Sequence, residues 1–312
     1  MNIKKYCLTA LCVSVLFSSF FYSKNSLACA GGCGVSNVGT SSLIPNQDGG
    51  IVFLQYDEMN QTRNWHGENK SNAHNHDKKI STQRVTAGAQ YMFNRDWGVA
   101  IRLPYVARSL ENLPHHGDLT HTRHSSIGDI RINGIYSGFS DDMSTGITFG
   151  LKLPTGATKD SQFTRNTQIG TGSTDATFGA YHTGTFDKAG KIGYFAQGSW
   201  DRAFIRHRGY TPGYEISGAT GVYYNFGKVG FAKKVAPIFQ FSGSKKGQDS
   251  GWADSDHNPN SGYGMVFFNP GIEVAVNQFR LYADVGFPIY RQVNGTQLVP
   301  QNIYKVILGY NF

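Results

Sequence analysis

The chain has 312 residues, of which only 16% are charged and 39% are hydrophobic, and it is rich in glycine (38), phenylalanine (21) and tyrosine (17). Its formal net charge of +8 comes from basic residues dispersed along the chain, without the cluster that marks a nucleic-acid-binding surface, so no nucleic-acid partner is expected. After the N-terminal segment, no apolar stretch approaches the roughly 18 to 20 residues that a spanning helix needs, which argues against a helical membrane protein.

The first 28 residues have the three parts of a secretory signal peptide. Two lysines precede an apolar run over residues 6–22, and small residues follow as far as Ala28. Residues 1–28 are therefore predicted to be removed on export. A lipoprotein signal is the alternative because Cys29 follows, although Leu27 lies one place too close to that cysteine for the usual lipid-attachment motif.

Residues 29–50 form a glycine-containing segment that carries Cys29 and Cys33. An oxidising compartment favours a local disulfide between these two residues, and metal binding or lipidation of Cys29 are the alternatives. A glycine-rich segment of this kind, placed before the first strand, is also a candidate plug for the lumen of a barrel.

Residues 51–312 are predicted to form one all-β domain, a transmembrane antiparallel up-and-down β-barrel. Segments of roughly 10 to 13 residues with alternating apolar and polar side chains have the length and period of tilted strands that cross a bilayer. About twelve such strands are predicted, near residues 51–60, 81–93, 97–107, 127–139, 143–156, 172–186, 192–203, 213–226, 229–242, 264–276, 279–290 and 302–312.

The connections between the predicted strands alternate between short and long. Tight turns are expected at 94–96, 140–142, 187–191, 227–228 and 277–278, and long loops near 61–80, 108–126, 157–171, 204–212, 243–263 and 291–301. This alternation is typical of bacterial outer-membrane barrels, which have short periplasmic turns and long external loops.

Charged side chains recur on the lumen-facing phase of these strands. In the strand near 279–290, Phe279, Leu281 and Phe287 are predicted to face lipid. The candidate pore-lining residues are Asp129, Arg131, Lys152, Asp175, Asp201, Glu273, Arg280, Asp284 and Lys305. The alternative is that these charges pair with one another and fill a narrow barrel. A twelve-stranded barrel lies between filled eight-stranded and open sixteen-stranded barrels, so a narrow or gated passage is expected.

Histidines are concentrated in the predicted external loops, where pairs of imidazoles can hold a divalent metal. The candidate metal ligands are His74, His76, His115, His116, His121 and His124. The alternative is that these are solvated loop residues without a fixed geometry. Apart from such a loop-bound metal, no cofactor is expected.

Three short motifs occur in order within residues 125–185: Gly128 to Arg131 (GDIR), Gly150 to Gly156 (GLKLPTG) and Gly170 to Asp175 (GTGSTD). In order and spacing they resemble the outer-membrane transporter family labelled MetA-pathway of phenol degradation. That family is distantly similar to barrels that take up fatty acids and aromatic hydrocarbons, and the resemblance implies an outer-membrane barrel with a role in transport. The final Phe312 also resembles the tag that such barrels present to the barrel assembly machinery.

The sequence therefore predicts a porin-like channel or transporter in the cell outer membrane of a Gram-negative bacterium, for small hydrophobic or aromatic molecules. The expected partners are outer-membrane lipid, the barrel assembly machinery and a small-molecule substrate. Alternatives are a metal-binding barrel, a structural barrel and an outer-membrane hydrolase. A lipase needs Ser and His at the external end of adjacent strands, whereas His182 falls at the periplasmic end of its strand, so no enzymatic activity is expected.

The predicted topology can be tested with inserted epitope tags. We expect tags near Asn72, Leu119 and Ser255 to be reached by antibody on intact cells, because these positions follow strands that run outward. Tags at Asp141 or Lys188 should stay protected. Exposure of the second pair with protection of the first three would reverse the inside-out assignment.

Overall fold

The computed structural model describes residues 43–45, 47–72, 77–112, 118–160, 163, 165–206, 209–252, 255–257 and 260–312. The predicted signal peptide and most of the predicted plug, with Cys29 and Cys33, lie outside these residues. The described residues form fifteen β-strands and one short 3-10 helix, Arg165–Thr167. None of their helices is long and apolar enough to cross a membrane.

In chain order the strands are β1 (Gly49–Gly67), β2 (Asn69–Lys70), β3 (Asp77–Met92), β4 (Trp97–Asn112), β5 (Thr120–Ile127), β6 (Ile130–Tyr136), β7 (Thr145–Leu153), β8 (Thr174–Thr185), β9 (Ile192–Ile205), β10 (Glu215–Tyr224), β11 (Lys234–Lys246), β12 (Ser250–Trp252), β13 (Ser255–His257), β14 (Tyr263–Val276) and β15 (Phe279–Asn311).

The described strands close into a barrel because β15 pairs with β1. Around the wall the order is β1, β3, β4, β6, β7, β8, β9, β10, β11, β14 and β15, and each of these eleven strands is antiparallel to its neighbours. Outside this ring, β2 pairs with β1, β5 pairs with β4, and β12 and β13 form a separate hairpin. The predicted antiparallel up-and-down barrel is confirmed.

The longest strand, β15, crosses the wall twice. Its first part, Phe279 to Val293, pairs with β14, and its second part, ending at Asn311, pairs with β1. Gly295, with a φ of 63°, lies where the chain reverses. The rings of Phe279 and Tyr310 are 5.1 Å apart, as expected for two halves that lie side by side. With both halves of β15 counted, the described chain crosses the wall twelve times.

Alternation of the side chains fixes what faces inward. In β1, Phe53, Gln55 and Asp57 are buried inside the barrel, whereas Val52 and Leu54 are exposed on its outer surface. Successive side chains of a strand point to opposite faces, so the period of two in the sequence gives the two surfaces of the wall directly.

The interior is arranged in three layers along the barrel. A lower apolar layer near the short turns consists of Leu43, Ile44, Ile51, Phe53, Met92, Ile135, Met143, Tyr181, Phe195, Ala219, Ile238, Tyr282 and Ile307. An upper apolar layer near the long loops consists of Met59, Tyr263, Met265, Phe267, Val293, Val299 and Ile303, with Ile80, Leu110, Phe163 and Leu298 clustered beside it. Charged and polar side chains fill the space between them, which we call the polar layer.

The outer surface is apolar around the barrel. Leu54, Phe149 and Leu281 are between 43% and 54% exposed. Exposed aromatic rings mark the short-turn ends of the strands: Tyr91, Phe93, Trp97, Phe139, Phe186, Tyr224, Phe226, Phe279 and Phe312. Such a surface would promote aggregation in water, but an apolar band with aromatic rims on a closed barrel is the lipid-facing surface of an outer-membrane protein. The chain is therefore a protein of the cell outer membrane.

The turns at one end of the barrel are short, as predicted, except that the turn predicted at 227–228 is a nine-residue connection, because β10 ends at Tyr224 and β11 begins only at Lys234. Asn94 closes one of them, since its side-chain oxygen accepts hydrogen bonds from the amides of Asp96 and Trp97 at 2.9 and 2.8 Å. At the other end the strands extend beyond the predicted boundaries: β1 continues to Gly67 and β4 to Asn112. Backbone pairing continues there although the side chains become polar, so the hydrophobic alternation ends before the strand does.

Close contact between neighbouring strands requires glycine at position 150. A Cβ on Gly150 would overlap the carbonyl oxygen of Ile132 on the paired strand, whereas a Cβ on Gly198 would lie 3.7 Å from its nearest neighbour, the carbonyl oxygen of Ser217.

We expect Gly150→Ala to lower the free energy of unfolding by about 1–3 kcal/mol, as overpacking usually does. Urea unfolding of the refolded protein measures this, and Gly198→Ala is the matched control. Equal stability of the two variants would contradict the prediction.

Candidate functional site

Eight of the nine predicted pore-lining residues lie on the inward-facing phase of their strands, and the ninth, Asp129, lies in the two-residue break between β5 and β6. Seven of them have side chains that are at most 8% exposed, and the side chain of Arg131 is 17% exposed. The fold therefore brings them together in the interior. Their role as the lining of a passage is a separate question, because the contacts described below also hold the interior together.

Three cations lie side by side in the polar layer. Arg102 of β4 is the register partner of Arg131 on β6, and Arg131 is the register partner of Lys152 on β7. We call these three residues the cation row. Like charges directly opposite each other on paired strands destabilise a sheet, so the row requires negative charge close by.

Two carboxylates supply part of that charge. Nη1 of Arg131 donates a hydrogen bond to Oδ1 of Asp201 at 2.7 Å, and Nζ of Lys152 lies 2.5 Å from Oδ2 of Asp175. Removing one member of a buried pair leaves an uncompensated charge and costs about 3–5 kcal/mol. These ion pairs therefore fix the side chains of the row.

A second cluster in the polar layer surrounds Asp284. Its carboxylate accepts hydrogen bonds from the hydroxyl of Tyr282 at 2.6 Å and from the amide of Asn269 at 3.2 Å. Nearby, the buried Asp57 is the register partner of Lys305 across β1 and β15. Neutral donors and opposite charges thus satisfy the acidic side chains of this half of the barrel.

The periplasmic end of the lumen is occupied by residues that precede β1. Leu43 and Ile44 are 6% and 7% exposed and pack within the lower apolar layer. With Pro45 and Arg280 they line a cavity of about 30 Å³. Burial of two such aliphatic side chains contributes roughly 1.5–3 kcal/mol each, which holds this part of the N-terminal segment inside the barrel.

The loop between β7 and β8 folds into the external mouth. Thr167 and Gln168 are buried there, and their carbonyl oxygens accept hydrogen bonds from Nη1 of Arg108 at 2.7 and 2.9 Å. Arg108 is itself only 2% exposed. A charged donor buried on the wall therefore anchors the loop across the opening.

Asp129 joins the two ends of the same loop. Its Oδ1 accepts a hydrogen bond from the amide of Gly156 at 3.0 Å, and its Oδ2 accepts one from the amide of Thr171 at 2.9 Å. The guanidinium of Arg165 lies 4.4 Å from the ring centroid of Tyr210, which connects this loop to the next one. The predicted pore-lining Asp129 thus has a structural role as well.

A buried carboxylate holds the neighbouring loops together at the external mouth. Asp249 lies 2.8 Å from Nζ of Lys246 and accepts hydrogen bonds from the hydroxyl of Tyr210 and the amide of Gly213, both at 2.8 Å. Its own amide donates to Oγ of Ser261 at 2.9 Å. We call these five residues the Asp249 clamp.

Cavities remain between the two closed ends. Two of them have volumes of about 110 Å³ each, and a third, beside the Asp249 clamp, has about 60 Å³. The first two share Arg102 and Arg131 in their linings. The polar layer therefore contains room for small molecules, in neighbouring cavities of which the two larger ones meet at the cation row.

Sequence reasoning missed several interior charges, namely Asp57, Arg84, Arg102, Arg108, Glu215, Lys246 and Asp249. The alternation of apolar and polar side chains could have identified Asp57, Arg84 and Arg102, because each stands in the lumen-facing phase of a predicted strand. Arg108 and Asp249 lie in predicted loops, where the alternation gives no orientation. Their importance depends on contacts with other loops that only the fold reveals.

The predicted metal ligands fall into two groups. His74, His76, His115 and His116 lie outside the described residues. Nδ1 of His124 lies 2.8 Å from Oδ2 of Asp160, and Nδ1 of His121 lies 3.9 Å from Oε1 of Glu111. Among the described residues, no three His, Cys, Asp or Glu side chains come together as a metal site. The loop-bound metal therefore stays a prediction.

Comparison with known proteins supports the fold. No family model and no curated protein matches the chain. Its structure is similar to the COG4313 outer membrane channel from Pseudomonas putida F1, with a TM-score of 0.63 and 10% sequence identity over 88% of this chain and 100% of that chain. It is also similar to the β domain of the Bordetella autotransporter Brka, with a TM-score of 0.51 and 10% identity over 85% of this chain and 100% of that chain. At this low sequence identity, the structural similarity shows a common barrel architecture alone, so function has to be argued from the interior.

The Asp249 clamp should loosen in acid. Burial alone would raise the pKa of Asp249, but Lys246 and the hydrogen bonds from Gly213 and Tyr210 outweigh burial and lower this pKa. A carboxyl with a lowered pKa stabilises the closed loops above its unfolded pKa of about 3.9, and this stabilisation is lost as pH falls through the folded pKa. We expect limited proteolysis of the external loops to stay slow near neutral pH and to accelerate only below about pH 4.

The substitution Asp249→Asn should accelerate the cleavage already at neutral pH and remove most of its pH dependence. Asp142→Asn is the matched control, because Asp142 also has a lowered pKa, through hydrogen bonds from Ser144, but lies in a turn at the opposite end of the barrel. If the control accelerated cleavage as much as Asp249→Asn, a general loss of stability would replace the clamp as the explanation.

Proposed function

We propose that this protein is a gated, selective outer-membrane channel for small molecules. The observation that carries the proposal is a polar, charged layer with cavities, enclosed by the wall and covered at both ends by segments that are not part of the wall. A barrel that served only as a structural element would need no compartments of this kind.

The covering segments are attached to the wall by side-chain contacts. Leu43 and Ile44 cover the periplasmic side through apolar packing, and Arg108 holds the β7–β8 loop through two hydrogen bonds. In its described residues, neither segment pairs with the barrel strands as a ladder. Both can therefore move while the hydrogen bonds between the strands stay intact, which is what gating requires.

The substrate class that we propose is small hydrophobic or aromatic molecules. Phe195, Phe267 and Tyr282 are fully buried side chains of the apolar layers, which any solute crossing the lumen would meet before and after the polar layer. The similarity to a solved outer membrane channel agrees with transport. Cavities of about 110 Å³ argue against a wide, water-filled porin.

Reconstitution in liposomes tests the channel. We expect the intact protein to show low ionic conductance, because Leu43, Ile44 and the β7–β8 loop cover the lumen. Deletion of Cys29 to Leu43 should raise the conductance if this segment closes the periplasmic end. Permeation should favour aromatic solutes over sugars of matched size.

A deletion outside the lumen is the control, and removal of Gly227 and Lys228 from an exposed turn serves that purpose. High, ohmic conductance before any deletion would indicate a general porin. Absence of conductance and of solute flux in both forms would favour a structural role.

A further inference from the structure

Two cavities meet at the cation row. The upper cavity, toward the external side, is lined by Arg84, Arg102, Arg131 and Lys152 together with Asp129 and Glu215. The lower cavity is lined on its periplasmic side by Ile44, Ile135 and Tyr181. Arg102 and Arg131 belong to both linings, so two guanidinium groups stand at the boundary between a charged compartment and a partly apolar one.

The acidic groups of the upper cavity have other contacts. Both oxygens of Asp129 accept hydrogen bonds from the β7–β8 loop. Oε1 of Glu215 accepts one from the hydroxyl of Tyr263 at 2.8 Å. Four cations and two anions thus line this cavity; the two anions contact the loops and the wall, and two of the cations, Arg131 and Lys152, are paired with Asp201 and Asp175.

Guanidinium groups bind carboxylates well. Each carries five N–H donors in a plane that matches the two oxygens of a carboxylate. Arg131 uses Nη1 for Asp201, and its side chain lines both cavities. Because Arg102 and Arg131 are register partners with like charges, an anion placed between them would also relieve their repulsion.

We propose that this boundary binds the carboxylate of a small amphiphilic anion, such as an aromatic carboxylate, with the apolar body of the molecule in the lower cavity. The inference deepens the proposed function, since it rests on solutes entering the lumen. Each cavity, at about 110 Å³, is well above the roughly 10–15 Å³ that admits one water molecule.

The experiment compares benzoate with benzyl alcohol, its neutral analogue, in equilibrium binding to the purified full chain in detergent at pH 7. We expect benzoate to bind at least about tenfold more tightly, as hydrogen bonds to a charged group allow. Arg102→Gln should bring the two affinities close together by weakening benzoate alone, and Arg102→Lys should restore part of the difference.

Arg280→Gln is the matched control, because Arg280 also faces the lumen but lines the cavity beside Leu43 and neither of the two at the cation row. Heat-modifiable gel mobility confirms that each variant is folded. If Arg102→Gln does not fold, the double variant Arg131→Gln, Asp201→Asn removes one charge of each sign and should weaken benzoate in the same way.

Equal affinity for benzoate and benzyl alcohol, or an unchanged preference in a folded Arg102→Gln protein, would overturn the inference. Acetate binding as tightly as benzoate would overturn its aromatic part, since acetate has no body to fill the lower cavity. The channel is tested separately by solute flux. Flux of neutral aromatic solutes without a preference for benzoate would support the channel and contradict this site. Benzoate binding without flux of any solute would support the site and contradict the channel.

Discussion

The pairing of β1 with β15 is the constraint on which the rest of the structure depends. A bilayer core offers no water to satisfy the amides and carbonyls of an open strand edge, so a sheet can reside there only when it is closed. Closure then assigns every side chain to one of two environments. The outer phase has to be apolar, and the inner phase is free to carry the charges that would be excluded from a lipid-facing surface.

The inner charges are also constrained by each other. In a confined lumen, each ionic group needs a partner or a set of donors. Asp201 lies against Arg131, Asp175 lies against Lys152, and Asp284 is held by neutral groups. The interior is therefore a network that orders itself as well as a surface that can meet a solute, and the two predicted roles of these residues are compatible.

Much of this fold could be predicted from the sequence, because the alternation of side chains along a strand shows which residues share a face. The inward placement of Lys152 and Asp284 follows from their neighbours in the chain, without knowledge of the tertiary structure. Which charges meet does not follow in this way. Arg131 and Asp201 are 70 positions apart, and their contact depends on the stagger of the barrel and the reach of each side chain. Arg108 and Asp249 were missed because they act on loops, which carry no periodic signal. The general barrel architecture is in turn shared by a channel and by an autotransporter domain, so the interior, and not the wall, has to distinguish their functions.

The location of Leu43 and Ile44 has a consequence for assembly. They lie shortly before β1, which begins at Gly49. β1 is the strand with which β15 must pair at the end of folding, and contacts between such distant parts of a chain form slowly. Once β1 and β15 have formed their hydrogen bonds, the wall surrounds the lower apolar layer, and the residues before β1 cannot enter it between two strands. Leu43 and Ile44 lie at the end of the barrel, so they can enter and leave along its axis while the seam between β1 and β15 stays paired, and closure of the wall and occupation of the lumen are separate steps of assembly.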